Sequence, residues 1–174
     1  MPDGQVHHRP AYQTFRLRMV GCAVLLVTAL LMTGCAGSMD PAISPDNRVP
    51  QSHRSEQLLR AEIRSWLGTP HRMGGMSQRG VDCSGLVVIL YADLFDVRLP
   101  RTTLAQMRTG RQVGRDSLVA GDLVFFKPAK KYYHVGIYLG HGEFVHTSTS
   151  NGVMVSQIDD GFWRQCYLTG RRVL

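Results

Sequence analysis

A chain of 174 residues, 44% hydrophobic and 19% charged, can bury one core, which excludes global disorder. Its net charge of +7 suits an anionic polymer such as nucleic acid, cell wall or lipid headgroups. The lysines and arginines are scattered and never interleaved with aromatics, so no nucleic-acid role is expected and a solvated basic surface is the plain reading.

Arg16 and Arg18 precede an uncharged apolar run, Met19 to Met32. Such a run, roughly fourteen residues, is too short for a comfortable bilayer span and suits the core of a secretory signal. Thr33 and Gly34 then lead into Cys35. Together they resemble a bacterial lipoprotein signal, cleaved ahead of a cysteine that becomes acylated, palmitate included. Met32 stands where such signals usually carry Leu; a plain secretory signal or a core helix are the competing readings. From Ala36 to Arg54 the chain is rich in Pro, Ser, Asp and Gly without apolar period. That composition predicts a flexible tether reaching about 25 Å root-mean-square. The expected division is a signal peptide over 1–34, lipidated Cys35 and tether over 35–54, and a folded domain over 55–174.

Ser55 to Trp66 spaces Leu58, Leu59, Ile63 and Trp66 at helical intervals, and Gly68-Thr69-Pro70 stops the helix. A glycine-rich loop follows, then an apolar run from Leu86 to Phe95 broken by Asp93. Asp82 is a good N-cap and Val81 can staple onto Leu86, which predicts a buried helix over Cys83 to Phe95. Thr102 to Thr109 reads as a short helix ending at Gly110. Beyond Asp116 come strands: DLVFF, YHVGIYL, EFVHTS, GVMVSQI and YLTGRRVL, separated by turn signals. Helices first and an antiparallel sheet after predict an α+β domain.

Asp82 as cap places Cys83 at the first helical position. The macrodipole there favours the thiolate, the nucleophilic form, and Gly85 is expected to let a substrate backbone approach. A base is needed. Among the histidines downstream of the tether, His71, His134 and His146 remain once His141 is set aside at a turn tip. If Gly140-His141-Gly142 is a three-residue turn, Gly136 opposes His146, and His134 and His146 become diagonal neighbours on one face. A two-residue loop would put them on opposite faces. A Cys83, His134 and His146 zinc site is an alternative, although the histidines lack the close pairing typical of zinc motifs. A Cys83–Cys166 disulfide is another, in an extracytoplasmic compartment.

The strings GTPHRMGGMSQRGVDCSGLVV, GDLVFF, HVGIY and FVHTSTSNGVM together resemble the NlpC family of papain-like cell-wall cysteine peptidases, and most closely its lipoprotein branch. The resemblance covers Ser55 to Leu174. It implies a papain-like α+β fold in which Cys83 attacks, His134 acts as general base and acid, and His146 orients His134. It implies that Asp82 and Ser84 line the pocket for a substrate amine. The substrate would be a peptidoglycan stem peptide, cut between γ-D-glutamate and a diamino acid by a monomer without cofactor or metal. His71 stands where the family usually has a Tyr near the oxyanion, and Ala120 where Pro usually precedes GDLVFF. A wall-peptide-binding protein without turnover is the alternative that His71 keeps open. Ala36, in place of the Asp associated with inner-membrane retention, points to anchoring on the periplasmic side of the outer membrane.

Overall fold

The structure is a computed structural model that describes residues 50–130 and 132–174. The expected signal peptide, the lipidation at Cys35 and most of the tether lie outside the described residues. Among the described residues no helix is long and apolar enough to cross a membrane.

Helix α1 spans Gln51–Trp66 and buries Leu59, Ile63 and Trp66. It begins before the expected Ser55 boundary, because its first turn, Gln51 to Arg54, is polar and carries no apolar period to read. A two-strand hairpin follows, β1 at Met76–Ser77 and β2 at Gly80–Val81. Helix α2 spans Cys83–Phe95 as predicted, with Asp82 Oδ1 accepting from the Gly85 N–H at 2.7 Å. Val81 and Leu86, the expected staple, are both fully buried in one cluster. The helix ends at Asp96 in the left-handed region. Helix α3, Thr103–Gln106, is shorter than expected and is capped by the Thr102 hydroxyl.

Then come β3 (Arg111–Val113), a 3-10 turn (Arg115–Ser117), β4 (Leu123–Ala129), β5 (Tyr132–Gly140), β6 (Glu143–Ser148) and β7 (Gly152–Gln157). Helix α4 (Gly161–Cys166) leads into β8 (Tyr167–Arg172). Strands β3 to β8 form one antiparallel sheet ordered β3-β8-β4-β5-β6-β7. Strand β3 and helix α4 were not expected; both are too short to show a period.

The two faces of this sheet differ. Leu123, Phe125, Val135, Ile137 and Val145 face α1 and α2 in a largely aliphatic core. Val124, Phe126, Phe144 and Ile158 form a second, aromatic cluster with Tyr138, Trp163 and Tyr167. Each fully buried apolar side chain contributes roughly 1.5–3 kcal/mol relative to exposure, so both faces hold the sheet.

Candidate active site

Cys83 is the first residue of α2 and only 7% exposed. Its sulfur lies 3.8 Å from the Thr103 hydroxyl at the start of α3. Burial pushes the thiol pKa up. The Val135 backbone, the Thr103 hydroxyl and the Ser84 backbone favour the thiolate, the Asp82 charge opposes it, and the net direction is upward. That direction runs against the one expected from the helix terminus alone. Desolvation of a sulfur wedged against the sheet outweighs the dipole.

The loop before α2 is fastened to the same carboxylate. Asp82 accepts from the Gly74 N–H at 2.7 Å, from the Ser84 hydroxyl at 3.1 Å and from Arg101 Nη1 and Nη2 at 2.8 and 2.7 Å. Burial alone would raise the Asp82 pKa, but Arg101 and the Gly85 and Gly74 N–H groups hold it below the usual carboxylate range. Arg101 also donates to Ser84 Oγ and to the Gly75 carbonyl. The space at Gly85 is taken by the protein itself: a Cβ there would stand 2.5 Å from the Gly75 carbonyl oxygen. The missing side chain thus serves the loop, not a substrate backbone.

Across from the thiol, the β5–β6 ladder pairs Ile137 with Val145 and Tyr138 with Phe144. That is the register of the three-residue turn, although the turn itself closes on Gly140 and Glu143 with an irregularity after Tyr138. A Cβ on Gly136 would stand 2.6 Å from the Phe144 ring and 3.3 Å from the His146 Cβ, so glycine lets β6 close in. The outcome is a dyad: His134 Nε2 and His146 Nδ1 are 3.0 Å apart. His146 Nε2 in turn lies 2.9 Å from Ser156 Oγ on β7.

The dyad sits among rings. Trp163 stacks on His134 at 5.4 Å and meets His146 edge-on at 4.8 Å, while Phe144 stacks on His146 at 4.9 Å. Burial, then charge on His146 and His71, depresses the His134 pKa to about 3. Burial brings His146 down to about 4, against a smaller upward pull from Thr147. Both imidazoles are neutral at pH 7.

Cys83 and His134 come from adjoining positions, since the thiol lies by the Val135 backbone, one residue past His134. Among the described residues the sulfur makes no hydrogen bond to either ring; its side-chain partner is Thr103. His71 bridges to Val81 beside the thiol loop. Tyr132, two residues before His134, stacks on that ring at 6.3 Å, and the charges of Cys83 and Asp82 act on its hydroxyl after burial has already raised it. With the dyad, Tyr132, Phe162 and Trp163 line a cavity of about 250 Å³. Thr147 Oγ1 is buried and makes no hydrogen bond among the described residues. Both cysteines in the described residues are free, and Cys166 donates to the Trp163 carbonyl at 3.7 Å. Among the described residues no group of three His, Cys, Asp or Glu side chains is gathered to hold a metal.

The sequence reading missed Arg101, Thr103, Ser156 and Trp163. For Trp163 a signal was there: Asp160 caps α4, and an Asp ahead of Gly161-Phe162-Trp163 is a helix-start pattern. Arg101 sits in a loop, where no period shows what a side chain meets.

The NlpC/P60 family model matches residues 68–172, which contain the thiol, both histidines and the Asp82–Arg101 pair. The chain belongs to the NlpC/P60 family. It is 44% identical over 152 residues to the probable endopeptidase NlpC of Escherichia coli K12, covering 86% of this chain and 97% of that protein. It is 35% identical over 172 residues to the murein DD-endopeptidase MepS/murein LD-carboxypeptidase of the same organism, covering 88% and 92%. Among solved structures it resembles the peptidoglycan hydrolase RipB of Mycobacterium tuberculosis, with a TM-score of 0.58 and 28% identity over 73% of this chain and 69% of that one. The α+β, papain-like architecture of NlpC/P60 domains is thus the fold of this chain.

Proposed function

We propose that this NlpC/P60 chain is a cysteine peptidase acting on peptidoglycan stem peptides, with Cys83 as nucleophile, His134 as general base and acid, and His146 holding His134 in place. The observation that carries the reading is the 3.0 Å His134–His146 contact on the strand beside a helix-start thiol. Endopeptidase names on relatives that align over nearly their whole length support the substrate class.

The resting groups are neutral, so the proton moves as the reaction begins. His134 takes the Cys83 proton while sulfur bonds to the substrate carbonyl carbon, and the resulting imidazolium is steadied by His146. The carbonyl oxygen gains the negative charge, and the N–H groups at the α2 start are placed to receive it. The C–N bond then breaks, the leaving amine takes the proton from His134, and a thioester remains. Water, giving a proton to His134, attacks the thioester; the carboxylate leaves and the thiol is restored. Ser84 and the Asp82–Arg101 pair form the polar floor for the peptide on the thiol side, with His71 at its edge.

The bond assigned is that between γ-D-glutamate and the diamino acid. A second reading, cleavage of the D,D crosslink, has the name of the MepS relative in its favour. Incubating the protein with defined muropeptides and weighing the products decides: release of an L-alanyl-γ-D-glutamate fragment supports the first, and splitting of crosslinked dimers into intact monomers supports the second. Binding without any mass change would establish the non-catalytic alternative.

We further place the protein in the cell envelope, held through lipidated Cys35 on the periplasmic side of the outer membrane and working as a monomer, since one chain supplies every site group. Palmitate labelling that persists in Cys35→Ala would refute the anchor.

A further inference from the structure

The two contacts of His146 tie three side chains into one line: His134 Nε2, His146 Nδ1 at 3.0 Å, then His146 Nε2 and Ser156 Oγ at 2.9 Å. Each nitrogen of a neutral imidazole is either a donor or an acceptor, and a bond between two rings needs one of each. Only two proton arrangements satisfy the whole line. In the first, His134 and His146 both carry their proton on Nε2, His134 donates to His146, and His146 donates to the serine oxygen. In the second every bond is reversed: the serine donates to His146 Nε2, His146 donates from Nδ1 to His134 Nε2, and His134 carries its own proton on Nδ1.

The two are unequal for chemistry. The first leaves His134 Nδ1 bare, as a base toward the thiol requires; the second blocks that nitrogen. We propose that Ser156 is a positioning residue that selects the first arrangement by accepting from His146, and so sets the protonation of His134 two side chains away. This rests on the assignment of His134 as base. Ser156 is half-buried near the end of β7, so its hydroxyl proton can turn to water while its oxygen faces the ring. The histidines have no such freedom, being 3% and 2% exposed and clamped by Trp163 and Phe144. When His134 becomes an imidazolium, the line passes the added positive charge outward to the serine oxygen, a charge-assisted bond stronger than the neutral one.

The test needs no substrate for its first arm. Nitrogen-15 NMR of the histidine-labelled protein should show both rings of the wild type as Nε2–H forms. In Ser156→Ala the His146 signal should move toward a mixture, and Ser156→Thr, which keeps a hydroxyl on a strand-compatible side chain, should restore it. In the second arm, Ser156→Ala should lower kcat roughly 10- to 150-fold with KM little changed, the scale of one charge-assisted hydrogen bond, and Ser156→Thr should recover most of it. A proton on His134 Nδ1 in the wild type overturns the proposal, as does Ser156→Ala with wild-type ring signals or wild-type kcat. If the NMR arm holds while stem peptides are not cut, the relay stands and the assigned substrate fails.

Discussion

Strand β5 shows two environments one residue apart. Val135 and Ile137 point into the aliphatic core against α2, whereas His134 points into the ring cluster of Phe144 and Trp163. The aliphatic side offers dispersion and burial but no orientation beyond shape. The aromatic side buries nearly as completely, yet its flat rings fix the planes of two imidazoles and leave their edges free for hydrogen bonds. Cys83 belongs to the aliphatic cluster and His134 to the aromatic one. On the proposed mechanism the work is divided: burial on one face raises the pKa of the thiol, and the rings on the other hold two imidazoles in fixed planes.

The largest effect tests that division directly. Cys83→Ala should reduce stem-peptide cleavage by on the order of a thousandfold or more, followed by chromatography of released fragments, with the fold retained by circular dichroism. Wild-type turnover would remove the thiol from the mechanism. Because burial raises the Cys83 pKa, alkylation by iodoacetamide in the free protein should rise only at or above the pH range of an ordinary thiol. Fast labelling at pH 6 would show a resting thiolate and return the activation to the helix dipole.

Acid separates the faces next. The unfolded histidines titrate near 6.5, the ordinary imidazole value, whereas burial brings the folded ones to about 3 and about 4. Above pH 6.5 neither state binds these protons and stability is unaffected. Below it the unfolded chain binds protons the folded chain refuses, so stability falls as pH drops toward the folded values. The loss at pH 5 is roughly 2 kcal/mol per imidazole, readable from urea midpoints at pH 7 and pH 5. Leu90→Ala, on the aliphatic side and fully buried, should cost about 2–5 kcal/mol equally at both pH values. A wild-type midpoint unmoved between pH 7 and pH 5 would mean that the rings are not shielding the dyad.

Gly85→Ala probes the thiol side more gently. Its Cβ would press on the Gly75 carbonyl oxygen at 2.5 Å, backbone that cannot rotate away, so thermal unfolding should report a loss of roughly 1–3 kcal/mol. A change below about 0.5 kcal/mol, the range of an ordinary surface substitution, would show the loop to be soft.

The elements that carry this contrast were unequally legible. Asp82 before an apolar run predicts α2 and the place of Cys83, because a cap is a local signal. The pairing of His134 with His146 was also readable, since strand alternation and a short turn fix which residues share a face. Arg101, Trp163 and Ser156 were not, because each reaches the site through a contact between elements distant in sequence. The direction of the Cys83 shift was hidden for a related reason: a dipole is local and can be read from the cap, but desolvation depends on everything packed around the sulfur.

Cys166 is the smallest test of the comparison and separates ring geometry from sulfur chemistry. It is partly buried at the edge of the aromatic cluster, its thiol is free, and it donates to the Trp163 carbonyl. If the rings alone align the dyad, that thiol is only a filler with a weak donor. Serine keeps the donor and loses little volume, so Cys166→Ser should leave kcat and KM within about twofold and stability within about 1 kcal/mol. Lost turnover with an unchanged unfolding midpoint would mean that the Trp163 carbonyl contact sets the ring pose on which His134 depends. The aromatic face would then owe its precision to a hydrogen bond at the end of α4 and not to stacking.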